Sequence, residues 1–192
     1  MSEPNDVSVH QSLATKIIVL DGPEAAGKST LASAILKLAT EHDLHARVRR
    51  WGKLRDEYDA DRIYGEFLKV DHLGIYDLVV WDRSWASESV YGMMLKRDRR
   101  LSDDWEMGDA LYATQIRDHC GMLVMVLGPD VNALVARRAA RHLSDDLDVD
   151  VGQERAMFER YARQFQWMRL THVTPETAAS WLLQTLGVAL NG

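Results

Sequence analysis

The nine residues Gly22-Pro-Glu-Ala-Ala-Gly-Lys-Ser-Thr30 constrain this chain more than any other stretch. They match G-x-x-x-x-G-K-[ST] at every fixed position. A continuous apolar, β-branched run, Lys16–Asp21 (KIIVLD), enters the motif and reads as a strand buried on both faces. An Ala- and Leu-rich stretch, Lys28 to about Thr40, leaves it and reads as a helix. Such a strand–loop–helix aims backbone N–H groups and a helix N-terminus at one point, which suits a phosphate. Gly22 and Gly27 permit the tight turn, and the expected nucleotide-binding residues are Gly22, Ala25, Ala26, Gly27, Lys28, Ser29 and Thr30. Lys28 is placed to reach the β- and γ-phosphates and the Ser29 hydroxyl to ligate Mg²⁺, so ATP and Mg²⁺ are the expected cofactors. The alternative, a chance match in a Gly/Ala-rich turn, is opposed by the strand and helix on either side.

The remaining sequence alternates in the same way. Strands are expected at His45–Trp51, Asp77–Asp82 (DLVVWD), Met122–Gly128 (MLVMVLG) and Leu170–Val173. Helices are expected at Asp56 to about Val70, Ser84 to about Lys96, Asp104–His119, Asn132–His142 and Gln153–Met168, where Met157, Tyr161, Phe165 and Met168 form a core stripe. A final helix has Thr174 as N-cap, Pro175 at its first position and Gly187 beyond its end. The expected fold is α/β: three layers around a central five-stranded parallel sheet, as in P-loop nucleotide-binding proteins. Residues 1–14 are expected to be a loose tail and 15–192 one domain, with a helical lid at about 137–150.

The chain's 192 residues suit one domain, at roughly 100–200 residues per domain. With 46% apolar and 27% charged residues it reads as globular. One cysteine, Cys120, excludes an internal disulfide and a Cys-based zinc cluster. A reducing, cytoplasmic setting is the expectation. The apolar runs are too short to span a bilayer, so no membrane partner is expected. The formal charge of −6 argues against holding nucleic acid by bulk charge.

The end of the DLVVWD run bears on what the triphosphate is used for. Asp82 can organise Mg²⁺ or accept a proton, whereas the next residue, Arg83, is a permanent cation and no base. A water-polarising Glu beside the metal-site acid is missing, as is the Asn-Lys-x-Asp guanine signature. Transfer to a bound acceptor fits better than hydrolysis; the alternative is a loop-end ion pair. Downstream, Arg137 and Arg141 are four apart and share a helix face, and Arg138 and Arg141, three apart, are also neighbours, a crowding of cations that is unfavourable unless anions sit opposite. A closing lid can bring them to the transferring phosphoryl group. The alternative is a solvated helix neutralised by Asp145, Asp146 and Asp148.

These residues resemble the thymidylate kinase-like branch of the nucleoside and nucleotide kinases. The resemblance rests on Gly22-Pro-Glu24, on Asp82-Arg83 followed by Ser87 and Tyr91, on Arg137-x-x-x-Arg141, and on Phe158-Glu-Arg-Tyr161. The Asp82-Arg83-x(7)-Tyr91-Gly92 run also resembles phage-encoded thymidylate or deoxynucleoside kinases. The resemblance implies that Glu24 faces the acceptor, that Asp82 is base or metal organiser, and that Arg83 clamps acceptor and phosphoryl group. Ser87 and Tyr91 would line the acceptor pocket, and Arg141 with Arg137 or Arg138 would come from the lid. It also implies homodimerisation as a possibility to test. The family's Arg-Glu-Pro-Gly-Gly segment is replaced by Arg47-Val-Arg-Arg-Trp51-Gly-Lys-Leu-Arg55.

That segment carries five cations in nine residues. Arg50 and Trp51 are its candidate substrate contacts. For a free nucleotide, one or two cations hold the phosphate. For a polynucleotide, several track the backbone while Trp51 or Trp85 stacks an extruded base, and Lys96-Arg97-Asp98-Arg99-Arg100 extends the path. Both runs as solvated surface is the third option. The sequence therefore points first to γ-phosphate transfer onto a deoxynucleoside or its monophosphate. A kinase of hydroxymethylated pyrimidines in DNA comes second, and a non-catalytic NTP-binding regulator third.

Overall fold

In the computed structural model the described residues are 15–51, 64, 68–69, 71, 74–95, 105–118, 121–141 and 149–188. The expected tail at 1–14, most of the helix at 56–70, Lys53 and Arg55, the 96–100 cluster, Cys120 and lid residues 142–148 lie outside them.

Five strands form one parallel sheet: β1 Lys16–Asp21, β2 Ala46–Arg50, β3 Leu78–Asp82, β4 Met122–Val126 and β5 Met168–Leu170, in the order β2-β3-β1-β4-β5. The helices are α1 Lys28–Glu41, α2 Trp85–Met94, α3 Trp105–Asp118, α4 Val131–Ala140, α5 Val151–Gln164 and α6 Pro175–Thr185.

Strand side chains alternate between two cores, because successive Cβ atoms point to opposite faces. Ile17, Val19, Val79, Trp81, Leu123 and Met125 pack with α2, α3 and α5. Ile18, Leu20, Leu78, Val80, Val124 and Val126 pack with α1, α4 and α6. Both faces are covered, which is why these strands read as unbroken apolar runs. β1 sits between β3 and β4, so the chain leaves its C-terminal end where connections diverge to either side. Ligand crevices form there in open α/β sheets.

Polar side chains start the helices. Ser84 accepts from Ala86 N at 3.2 Å, Asp130 from Ala133 N at 2.8 Å, Asp150 from Gln153 N at 2.7 Å and Thr174 from Thr177 N at 3.3 Å.

Two boundaries correct the sequence reading. α5 stops at Gln164 instead of Met168, because Gln166 takes a left-handed φ of 55° and Trp167 N bonds back to Ala162 O. Met168 therefore leaves the helical stripe and opens β5, which covers 168–170 instead of 170–173.

Candidate functional site

β1 ends on Asp21, which is fully buried. One carboxylate oxygen accepts from Gly22 N at 2.8 Å and the Ser87 hydroxyl at 2.6 Å. The other accepts from the Ser84 hydroxyl at 2.7 Å and Ser87 N at 3.1 Å. Asp21 thus ties the start of the glycine loop to the start of α2. At Gly22, φ is 141° and an added Cβ would lie 2.1 Å from the Val126 carbonyl oxygen, so only glycine fits. Ala25 (φ 61°) and Gly27 (φ 107°) are also left-handed, curling the loop over the N-terminus of α1. Lys28 folds back into that curl, its Nζ donating to Gly22 O and Pro23 O at 2.7 Å each. Burial, followed by the nearby Arg83 charge, lowers its pKa to about 7.

Beside the loop lies a polar cleft of about 250 Å³ lined by Glu24, Ala25, Gly27, Lys28, Ser29, Arg50, Trp51, Asp82, Arg83 and Arg141. Residues from four separate parts of the sequence meet there. Among the described residues the Asp82 carboxylate has only a long contact, 3.9 Å to Arg50 Nε, so its oxygens stay available. Asp82 with the Ser29 hydroxyl suits Mg²⁺, a hard ion that takes one or two protein oxygens and completes its shell with phosphates and water. Among the described residues no group of three His, Cys, Asp or Glu is placed to hold a metal by itself. Arg83 has a left-handed φ of 80°, a conformation costing a side-chain-bearing residue about 1–3 kcal/mol. Its N–H is held by Leu20 O at 2.9 Å, and its guanidinium reaches the Ser87 hydroxyl at 3.4 Å and Glu24 at 3.9 Å.

The arginines of α4 diverge. Arg141, at the helix C-cap, lines the polar cleft. Arg137 lines a second cavity of about 490 Å³ on the other side of the loop, with Ala26, Thr30, Val126, Pro129 and the 170–175 segment. Arg138 turns to α5 and pairs with Glu154, whose side chain is fully buried.

Other expected contacts lie outside the cleft. Ser87 spends its hydroxyl on Asp21 and is buried, so it supports the wall without lining the cavity. Tyr91 donates its hydroxyl to Glu154, and burial raises its pKa, which keeps it a donor. Of the cations in the 47–55 segment, Arg49 makes a two-pronged pair with buried Asp71 (2.6 and 3.1 Å), which also accepts from Trp81 Nε1 at 2.8 Å. The Arg47 guanidinium lies 5.6 Å from the Tyr76 ring centre. Arg50 alone of the three reaches the cleft. The Trp51 ring packs at 5.1 Å on Tyr64 and 5.4 Å on Trp81. Among the described residues no helix is long and apolar enough to cross a membrane.

Among the described residues sequence reasoning missed four buried carboxylates: Asp21, Asp71, Asp109 and Glu154. Glu154 did leave a signal. It falls one turn before Phe158 on the stripe that carries Tyr161 and Ala162, and a charge on a buried stripe needs a partner.

No protein-family model matches the chain. It is 30% identical over 154 residues to ribose 1,5-bisphosphate phosphokinase PhnN from Pectobacterium parmentieri (strain WPP163), covering 76% of this chain and 79% of that enzyme. The chain belongs to that enzyme's family of P-loop kinases. Solved structures agree on the fold. Polyphosphate kinase 2 from Arthrobacter aurescens TC1 superposes with a TM-score of 0.59 at 18% identity, over 93% of this chain and 70% of that one. The Deinococcus radiodurans tunicamycin resistance protein gives 0.54 at 14% identity (93% and 99%). Deoxyadenosine kinase from M. mycoides with bound dCTP gives 0.51 at 12% (90% and 100%). The protein is thus a kinase-type phosphotransferase with a five-stranded parallel sheet.

Proposed function

We propose that this P-loop kinase transfers the γ-phosphate of ATP to a small pentose acceptor, with a phosphate oxygen of a deoxynucleoside monophosphate as first choice and the hydroxyl of a free deoxynucleoside beside it. The observation that carries the proposal is the joint lining of one polar cleft by Lys28, Ser29, Asp82, Arg83 and Arg141 with Glu24, Arg50 and Trp51. Its volume of about 250 Å³ matches a γ-phosphate and a modest acceptor. The larger cavity past Gly27, with Arg137 over one wall and apolar Val126 and Pro129 below, suits the nucleoside end of ATP. The two cavities share Gly27, so one triphosphate can cross the loop with its base in one and its γ-phosphate in the other.

In this reading the loop N–H groups and Lys28 hold the β- and γ-phosphates. Ser29 and Asp82 hold Mg²⁺, which when bound neutralises phosphate charge. For a hydroxyl acceptor, Asp82 in the same cleft can take the proton and Glu24 can orient the hydroxyl, whereas a phosphate acceptor is already ionised and needs no base. Arg83 and Arg141 are fixed donors for charge that spreads onto the transferring phosphoryl oxygens. Arg50 is the anchor for an acceptor phosphate, since its only described ion pair is the long one to Asp82.

A second acceptor class is favoured by the 30% relative, whose name specifies ribose 1,5-bisphosphate. Both classes present a pentose and a phosphate, which Glu24 and Arg50 can meet. The DNA reading gains less, because Arg49 is committed to Asp71 and does not extend a cationic track. The deciding experiment measures ATP-dependent product formation with deoxynucleosides, their monophosphates, ribose 1,5-bisphosphate and hydroxymethyluracil DNA. Phosphorylation of a small phosphorylated pentose is expected. Activity on the DNA alone moves the assignment to base modification, and activity on none of them refutes the kinase reading for these acceptors.

A further inference from the structure

Glu154 belongs to no part of the cleft, yet three elements that build the cleft converge on it. Its buried carboxylate accepts from the Glu24 N–H of the glycine loop at 2.9 Å, from the Tyr91 hydroxyl of α2, and from the Arg138 guanidinium of α4. The three donors come from positions 130, 63 and 16 residues away in the chain. A carboxylate with no solvent exposure is costly unless fully paired, and here each donor is supplied by a segment that also positions a cleft residue. Glu24 lines the cleft itself. Tyr91 lies on α2, whose first turn is fixed to Asp21. Arg138 is three residues before Arg141 on α4 and one residue after Arg137.

We infer that Glu154 is a positioning residue: its ion pair with Arg138 fixes the rotation of α4, so that Arg141 enters the phosphate cleft while Arg137 enters the nucleoside cavity. A helix advances 100° and 1.5 Å per residue, so Arg137 and Arg141 lie about 40° apart on one face and about 6 Å apart along the axis, while Arg138 is turned about 60–100° from them. Pinning Arg138 to the α5 side turns that shared face to the loop, where the axial offset takes Arg137 to one cavity and Arg141 to the other. Because the same carboxylate holds the loop N–H of Glu24, α4 and the glycine loop are referenced to one atom group. The placement of Arg141 relative to the glycine loop is then set before any nucleotide binds. The pair contributes geometry; a neutral pair of similar volume can replace its stability.

The inference rests on the proposed binding of ATP across the loop, and its test does not need the acceptor. Equilibrium affinities for ADP and for a non-hydrolysable ATP analogue with Mg²⁺ are measured in wild type, Arg141→Ala, Glu154→Gln, the neutral pair Glu154→Gln/Arg138→Met, and Glu154→Gln/Arg141→Ala. Preference for the triphosphate over ADP is expected to fall about tenfold in Arg141→Ala, and by a similar factor in both Glu154→Gln and the neutral pair. The neutral pair is expected to melt close to wild type, which separates positioning from folding. In the Arg141→Ala background the Glu154→Gln change is expected to remove nothing further. Wild-type preference in a folded neutral pair overturns the inference, as do losses that multiply in Glu154→Gln/Arg141→Ala. If wild type shows no preference for the triphosphate, the donor-site reading fails first, visibly apart from these outcomes.

Discussion

Asp21→Asn isolates one buried carboxylate, and its effect can be worked from the hydrogen bonds. Each Asp21 oxygen takes one backbone N–H and one hydroxyl: Gly22 N with the Ser87 hydroxyl, and Ser87 N with the Ser84 hydroxyl. Asparagine keeps one oxygen and replaces the other with an NH₂ donor. A hydroxyl can turn round and accept from that donor, but a backbone N–H cannot. Either amide orientation therefore leaves one buried N–H, of Gly22 or Ser87, facing another donor. The stranded N–H and the hydroxyl that must reverse each lose a charge-assisted bond worth about 1.5–3 kcal/mol, a destabilisation of about 3–6 kcal/mol. That is a large share of the roughly 5–15 kcal/mol that holds a typical domain folded. Urea unfolding followed by fluorescence and circular dichroism reads it directly, with the m value checking that the transition stays two-state. Nucleotide affinity should fall as well, since Gly22 begins the phosphate loop and Ser87 steadies Arg83. A loss below about 1 kcal/mol, with unchanged nucleotide binding, would refute the view that Asp21 joins the loop to α2.

Three further outcomes are expected. Arg137→Ala should raise KM for ATP about tenfold with kcat nearly unchanged, whereas Arg141→Ala should lower kcat about 100-fold; steady-state kinetics at saturating acceptor separates them, and equal patterns would contradict the two-cavity arrangement. Lys28, with its pKa lowered to about 7, is mostly neutral at pH 8 in the free protein and must be charged to hold phosphates, so ATP binding at pH 8 should take up about 0.9 proton. Calorimetry in buffers of different ionisation heat measures this uptake, and Lys28→Met should abolish it. The same depressed pKa means that the folded state binds fewer protons than the unfolded one between about pH 7 and the ordinary lysine value of 10.5, so this residue's contribution to stability rises with pH across that window. Finally, Arg49→Ala should destabilise by about 3 kcal/mol by stranding buried Asp71, while Arg47→Ala should stay within about 1 kcal/mol; comparable losses in a denaturation series would count against the pairing.

What the sequence disclosed, and what it hid, follows from the range of each interaction. The β1–loop–α1 unit was legible because its glycines, lysine and apolar strand are contiguous. Buried parallel strands such as Leu78–Asp82 were legible because both faces are apolar. The cleft was legible in large part, since Lys28 and Ser29 open the helix that follows β1, and Asp82 ends β3 with Arg83 next to it, positions that a parallel sheet places together. The end of α5 was not, because Gln166 adopts a left-handed φ without the glycine that usually marks one. The separate destinations of Arg137, Arg138 and Arg141 were also hidden. They depend on Glu154, a partner 16 residues beyond Arg138 on another helix. Arg49 and Arg50 are adjacent in sequence yet point to opposite faces of β2, one into Asp71 and one towards the cleft, which a count of cations could not separate.

The proposed transfer makes Arg83, held in a strained backbone after β3, a fixed donor to the phosphoryl group in transit. Transfer of label from γ-labelled ATP to the acceptor, compared between wild type and Arg83→Ala at saturating substrates, tests this most directly. A loss in kcat of at least about 100-fold is expected, with ATP affinity changed only a few-fold. Retention of wild-type kcat by Arg83→Ala would contradict it.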